Sequence, residues 1–186
     1  MKDLYRGALV RLSNASPDVI AKASTRWRRD TELHRFADTD PAQLWSEKRI
    51  KERIEKRKDD GAYRFHLHTL ADDKLIGIIG LVPNETCEDA WLYIAIFERE
   101  YLGKGYGTDG MKLIMQYGFL ELNLRRISLG LNGYNERALR TYTKVGFQIE
   151  GKVRSDVVKD GKRYDGIYMG ILREEWMEQY GTKTAN

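Results

Sequence analysis

The sequence predicts an α+β fold in a single domain. Three observations lead there. YRFHLHTL at 63–70 alternates with a period of two, and LIGIIGLV follows it across ADDK, so the pair reads as a β-hairpin. The stretch after the loop at 101–110 instead spaces its apolar residues three and four apart, as a helix does. The 186 residues contain no repeat and no low-complexity linker, enough chain for one core and a tight fit for two.

Element by element, GALVRL at 7–12 reads as a short strand. Ser16 is placed to cap a helix with Pro17 at its first position, running toward Trp27. RWRRDTELHRFADTDP, rich in arginine, reads as irregular up to Pro41. A charged helix is expected over 42–58, with Ile50 and Ile54 one turn apart and supporting pairs Glu47–Lys51 and Glu52–Lys56. Acids interleave its basic residues, which marks a solvated face. After the hairpin, AWLYIAIF at 90–97 makes a third antiparallel strand feeding the glycine loop. A helix over 108–122, a strand at 125–131 (RRISLGL) and a helix from Asn135 to Val145 ending at Gly146 follow. FQIEGKVRSDVV and RYDGIYMGIL form a last hairpin around KDGK, and REEWMEQY a terminal helix or tail.

Composition excludes several classes. Apolar residues make up 41% and prolines number three, as in a folded globular chain. The net charge of +4 suits anionic partners without calling for nucleic acid. Cys87 is the sole cysteine, so no internal disulfide forms, and it reads as a bland thiol. His34, His66 and His68 lack zinc spacing, so no metal is expected. No signal-like start and no apolar run of membrane length are present, which points to the cytoplasm and away from membranes.

YLGKGYGTDG at 101–110 is the motif that carries chemistry. A nucleotide P-loop needs Gly-Lys-Ser/Thr, and Lys104 stands ahead of its glycine with no such string following. Gly105, Gly107 and Gly110 match Gly-x-Gly-x-x-Gly, but EREYL separates the strand from the turn and no acid closes the next strand, so a dinucleotide fold is disfavoured. The remaining reading is a pyrophosphate cradle. Glycine frees backbone amides to converge on an anion at a helix N-terminus.

The loop and the downstream run LNGYNERALRTYTKVGF together resemble the GCN5-related N-acetyltransferase (GNAT) superfamily, closest to its RimJ/RimL and spermidine-acetyltransferase-like branch. Glu100, Gly103 and Gly105 fall on one family pattern, and Asn135, Ala138, Tyr142, Gly146 and Phe147 on the other. The ending, EGKVRSDVVKDGKRYDGIYMGILREEW, is also similar to this branch. Glu100 stands where Gln or Arg is common, and Asp109-Gly110 replaces a frequent Glu-Ala.

The resemblance implies a mixed, mostly antiparallel sheet with helices on both faces. It implies that the strand before the loop and ISLGL are parallel neighbours that splay to admit acetyl-CoA as cosubstrate, with no metal. The cofactor loop would span about 94–108 and the acceptor-side helices about 16–58. The thioester would lie near Ile94, Ala95 and Ile96, and the pyrophosphate on Leu102, Gly103, Lys104, Gly105, Tyr106, Gly107 and Thr108. Asn135 and Ala138 would flank the pantetheine arm, and Arg137, with Arg140 and Lys144, would face the 3′-phosphate. A homodimer is compatible with the resemblance.

The implied chemistry is attack of an amine on a thioester. Tyr142 is the candidate acid for the leaving thiolate. Relatives often carry a carboxylate near the position of Trp91. Here the nearest acids are Glu85, Glu88 and Asp89, of which Glu88 and Asp89 are the candidate bases. A water chain in place of a base suits a low-pKa amine, so the expected acceptor is a protein N-terminal α-amine. The alternatives are a polyamine or other small-molecule amine, and a silent acyl-CoA-binding sensor. Trp27 and Asp30, beside Arg28 and Arg29, are the candidate acceptor-site residues.

Overall fold

The computed structural model describes residues 3–37, 41, 43–57, 61–86 and 88–181. Cys87, Asp38, Asp40 and both ends of the helix expected over 42–58 lie outside the described residues. Seven strands form one sheet, β1 (Val10–Ser13), β2 (Tyr63–Thr69), β3 (Leu75–Pro83), β4 (Asp89–Ile96), β5 (Arg126–Asn132), β6 (Gln148–Lys159) and β7 (Lys162–Leu172), in the order β1-β2-β3-β4-β5-β7-β6. Every neighbouring pair is antiparallel except β4 and β5. The mixed, mostly antiparallel sheet is as the family resemblance implied.

Helices α1 (Pro17–Trp27), α2 (Thr31–Ala37), α3 (Glu47–Glu55), α4 (Tyr106–Gln116), α5 (Glu136–Lys144) and α6 (Arg173–Tyr180) surround it. Strand alternation divides the sheet into two faces. Ile79, Leu81, Leu92 and Ile127 join Met111, Ile114 and Met115 of α4 and Trp176 of α6 in the main core. On the opposite face Trp27 of α1 stacks on Phe97, ring centroids 4.8 Å apart.

Local chemistry explains where the elements begin. Ser16 and Ser46 cap α1 and α3, their hydroxyls accepting from the amides of Val19 and Arg49 at 3.5 and 3.2 Å. The Ser46 cap also makes α3 shorter than the sequence suggested. Its basic residues are engaged locally: Lys51 reaches Asp18 at 2.7 Å, and Arg49 and Arg53 gather with Arg28 on the Trp45 ring. The segment expected to be irregular contains α2. There the Asp30 carboxylate accepts the Leu33 amide at 3.0 Å, and Leu33 and His34 are buried.

α4 ends earlier than expected, passing into a π-helical turn at Tyr117–Glu121. Gly110 and Gly118 explain the close approach of this segment to the sheet. A Cβ on Gly110 would stand 3.0 Å from Leu67, and one on Gly118 2.9 Å from Ile127. The helix-propensity cost of Gly110 is thus offset by packing.

His66 and His68 of β2 both bond to the chain at and just after β1. The Ala15 amide donates to His66 Nδ1 at 3.1 Å, and His68 Nδ1 lies 2.7 Å from the Ser13 hydroxyl. Burial pushes His66 down to about 4, so the ring is neutral and structural.

β1 starts three residues later than the sequence suggested because the chain before it turns toward α4. The Asp109 carboxylate accepts the amides of Ala8, Leu9 and Val10 at 3.1, 2.7 and 3.0 Å. Gly7 leaves the room, since a Cβ there would overlap that carboxylate. Replacing Asp109 with Ala removes a charge-assisted cluster and leaves the partly buried Val10 amide without its acceptor, so stability is expected to fall by about 1–2 kcal/mol. Urea denaturation should show a lower midpoint at constant slope; an unchanged midpoint would count against the clamp.

Candidate active site

The site begins where the sheet fails to close. β4 and β5 pair only at Asp89↔Arg126, Ala90↔Ile127 and Trp91↔Ser128. β4 then continues to Ile96 on β3, while β5 continues to Asn132 on β7. From Leu92 onward the β5-facing edge of β4 has no ladder partner, and its backbone polar groups are available to a ligand. Trp91 sits at the apex. Its indole crosses Gly130 just past the last pair, 3.0 Å from where a Cβ would stand, and packs edge-on against Tyr168.

The gap opens into a cleft of about 530 Å³. One wall is Ile94, Ala95 and Ile96, and a second is the glycine loop with the start of α4. Gly103 and Gly105 hold φ of +72° and +93°, conformations that disfavour a side chain. Gly105 is the N-cap of α4 and offers no side-chain acceptor. The amide of Asp109 makes the bond to the Gly105 carbonyl at 2.9 Å, which leaves those of Tyr106, Gly107 and Thr108 ahead of it. Asp109 itself is turned to β1. Amides at a helix start, without a capping side chain and beside an open cleft, fit a diphosphate.

Leu102, Gly103, Gly105, Gly107 and Thr108 line the cleft. Lys104 and Tyr106 do not: Lys104 is exposed, and Tyr106 packs edge-on against Tyr101 at 5.0 Å. Glu100 lies outside it too, paired with Lys74.

α5 forms the third wall through Asn135, Arg137, Ala138 and Tyr142, with Arg140 and Lys144 farther along. Asn135 does two jobs. Its side-chain oxygen caps α5 at the Ala138 amide (3.1 Å), and its Nδ2 donates to the Phe36 carbonyl at 3.2 Å. The Tyr134 hydroxyl likewise donates to the Arg35 carbonyl. Both bonds pin the C-terminal end of α2 across the gap, so that Leu33, Phe36 and Ala37 also line the cleft. Burial pushes the Tyr142 phenol up to about 12, and no described protein group hydrogen-bonds its hydroxyl.

Beyond the gap lie two further hollows. One, of about 380 Å³, is bounded by Trp91, Asn132, Asp156, Gly166 and Tyr168 and shares Ile94, Asn135 and Tyr142 with the cleft. The other, of about 400 Å³, lies between α1, α2 and β4, with Trp27, His34 and Phe97 among its walls. All three meet at Ala37 and Ile94.

Besides Lys104 and Tyr106, four more of the expected residues stand apart from the cleft. Glu88 and Asp89, at the far end of β4, face Arg125 at 3.8 and 3.1 Å. Asp30 receives two bonds from the Arg99 guanidinium at 2.6 and 2.7 Å, which hold its carboxyl below the usual range. Trp27 is buried, its indole N–H donating to Glu98 at 2.8 Å, and it borders the hollow under α1 rather than the cleft. Sequence reading missed α2 as a wall of the cleft, although Asp30 three residues before Leu33 is a capping signal. It also missed Asp156, which an irregularity in β6 positions and no sequence pattern announces.

Among the described residues no three His, Cys, Asp or Glu side chains gather as a metal site, and no helix is long and apolar enough to cross a membrane. The family described as an acetyltransferase (GNAT) domain matches residues 9–148. The chain belongs to the GNAT acetyltransferases.

Its GNAT relatives include an uncharacterized N-acetyltransferase of Bacillus subtilis, 32% identical over 73% of this chain and 79% of that one. The spermidine N(1)-acetyltransferase of Escherichia coli K12 is 29% identical over 64% and 69%. Among solved GNAT structures, Vibrio cholerae spermidine N-acetyltransferase in complex with CoA and spermine superimposes with a TM-score of 0.76 at 23% identity, covering 90% of this chain and 96% of that one. GNAT enzymes use acetyl-CoA, and in this chain the parted strands, the glycine loop and α5 enclose a cleft.

Gly107 is the position at which folding and the expected cofactor binding can be tested apart in this GNAT chain. A Cβ there meets only Ile96 at 3.5 Å, ordinary contact, yet the position lines the cleft. Gly107→Leu should keep or raise the melting temperature while weakening acetyl-CoA binding at least about tenfold. Calorimetric titration beside a thermal melt checks both halves.

Proposed function

We propose that this N-acetyltransferase acts on a primary amine of a small molecule, with polyamines the leading class. One observation carries the reading: the gap between β4 and β5 joins two chambers, one with an anion cradle and one without, and Tyr142 borders both. A pantetheine arm held between the strands is then accessible to an acceptor entering from the opposite side. The relatives named spermidine N(1)-acetyltransferase support this acceptor over the protein N-terminal α-amine that the missing β4 carboxylate suggested.

When bound, acetyl-CoA supplies an acetyl group activated as a thioester. The amides of Tyr106, Gly107 and Thr108 hold its diphosphate, and Arg137, Arg140 and Lys144 on the α5 wall provide positive charge for the remaining phosphate. The unpaired edge of β4 near Ile94–Ile96 polarises the acyl carbonyl as an oxyanion hole does. Tyr142 keeps its proton at neutral pH because its phenol titrates near 12, and it delivers that proton to the sulfur as the thiolate leaves. Water filling the second chamber takes the proton from nitrogen, since Arg125 holds Glu88 and Asp89 at the far end of β4.

Thiol release from acetyl-CoA across a panel of diamines, polyamines, monoamines, aminoglycosides and peptides with free N-termini tests the acceptor. Turnover concentrated on the small alkyl amines is expected; turnover confined to peptides would overturn the assignment. Tyr142→Phe should lower kcat about 100-fold while acetyl-CoA affinity changes far less. Undiminished kcat would remove Tyr142 from the role of acid.

A further inference from the structure

Asp156 is a carboxylate that the reaction described so far does not use. It lies in the second chamber, which it shares with Tyr142, Asn135 and Ile94. Among the described residues no cation or hydrogen-bond donor is paired with it. The other acids near α1 and β4 are spent: Glu98 on Arg26 and Trp27, Asp30 on Arg99, Glu100 on Lys74.

Three features of the fold put Asp156 in this place. The β6–β7 register slips between Val153↔Gly166 and Val157↔Tyr164, so three residues, 154–156, on β6 face one on β7. Ser155 takes φ of +56°, held by its amide donating to the Asp165 carboxylate at 3.0 Å. Gly166 then removes the obstacle, because its missing Cβ would occupy the position of the Asp156 carboxylate. The side chain of an edge strand is thereby laid over β7, the neighbour of β5, about one strand spacing (~5 Å) outside the gap.

We propose that Asp156 is a specificity-determining residue that receives a second ammonium group of the acceptor, so that the enzyme favours diamines and polyamines over monoamines. The proposal rests on the small-amine reading above. A carboxylate pressed against the reacting nitrogen would hold it as ammonium and suppress attack. A carboxylate displaced from the gap instead pairs with the charge at the other end of a short methylene chain and leaves the reacting nitrogen free to lose its proton. The hollow of about 380 Å³, walled by Trp91 and Tyr168 as well as Asp156, offers apolar surface for the methylenes between the two charges.

The test compares kcat/KM for 1,4-diaminobutane and butylamine in the wild type, Asp156→Asn and Gly166→Ala. The wild type should prefer the diamine about tenfold or more, and Asp156→Asn should bring the ratio close to one. Gly166→Ala, whose methyl displaces the carboxylate without removing it, should reduce the ratio less. Acetyl-CoA titration of each variant confirms that the first chamber is intact. A wild type that turns over both amines equally, or an Asp156→Asn enzyme that keeps the diamine preference, overturns the role of Asp156 alone. Failure of the wild type on both amines overturns the acceptor reading and this proposal with it.

Discussion

Two parallel strands in a sheet normally stay paired for their shared length, because each unpaired amide and carbonyl forfeits a hydrogen bond. β4 and β5 pair at three positions and then separate, each held on its other side by an antiparallel partner that continues. β3 and β7 therefore bear the cost of the opening. The exposed edge of β4, the cleft between α4 and α5, and the second chamber all follow from that separation. Trp91 marks the apex because Gly130 gives its ring a seat on the neighbouring strand.

A cleft through a sheet needs a rigid surround, and this one is clamped from several directions. Asp109 ties the start of α4 to the chain entering β1, which fixes the glycine loop against the sheet edge. Gly110 lets the same helix approach Leu67 and Ile79 closely. Asn135 and Tyr134 hold the carbonyl end of α2 over the gap, while Arg99 binds Asp30 at its other end. These contacts join polar groups distant in sequence, and those of Val10 and Asn135 satisfy groups that are partly buried. The same residues that look like ligand contacts in a linear motif thus double as structural ties, Asn135 above all.

The division of labour across the gap is electrostatic. Backbone amides and α5 cations face the cofactor side, where phosphate charge is expected. On the other side Asp156 is the carboxylate in the hollow, and it stands against a mostly uncharged wall. Family membership supplies the reaction class, and this asymmetry is what the proposed placement of the two reactants rests on.

Periodicity, caps and glycines in the sequence determined both hairpins, the capped start of α1, the end of α5 at Gly146 and the loop that opens α4, because these depend on residues within a few positions of one another. YLGKGYGTDG with the later Tyr142 run was enough to indicate an acyl-CoA site. Only the tertiary structure decided which acids are available. Glu88, Asp89 and Asp30 are consumed by arginines elsewhere in the chain, and Asp156 reaches the chamber through a register slip and a glycine ten residues away. The ends of α2 and β1 were likewise set by partners about 100 residues distant, Asn135 and Asp109. A carboxylate's availability is a property of what surrounds it in space, and no local spacing rule records that.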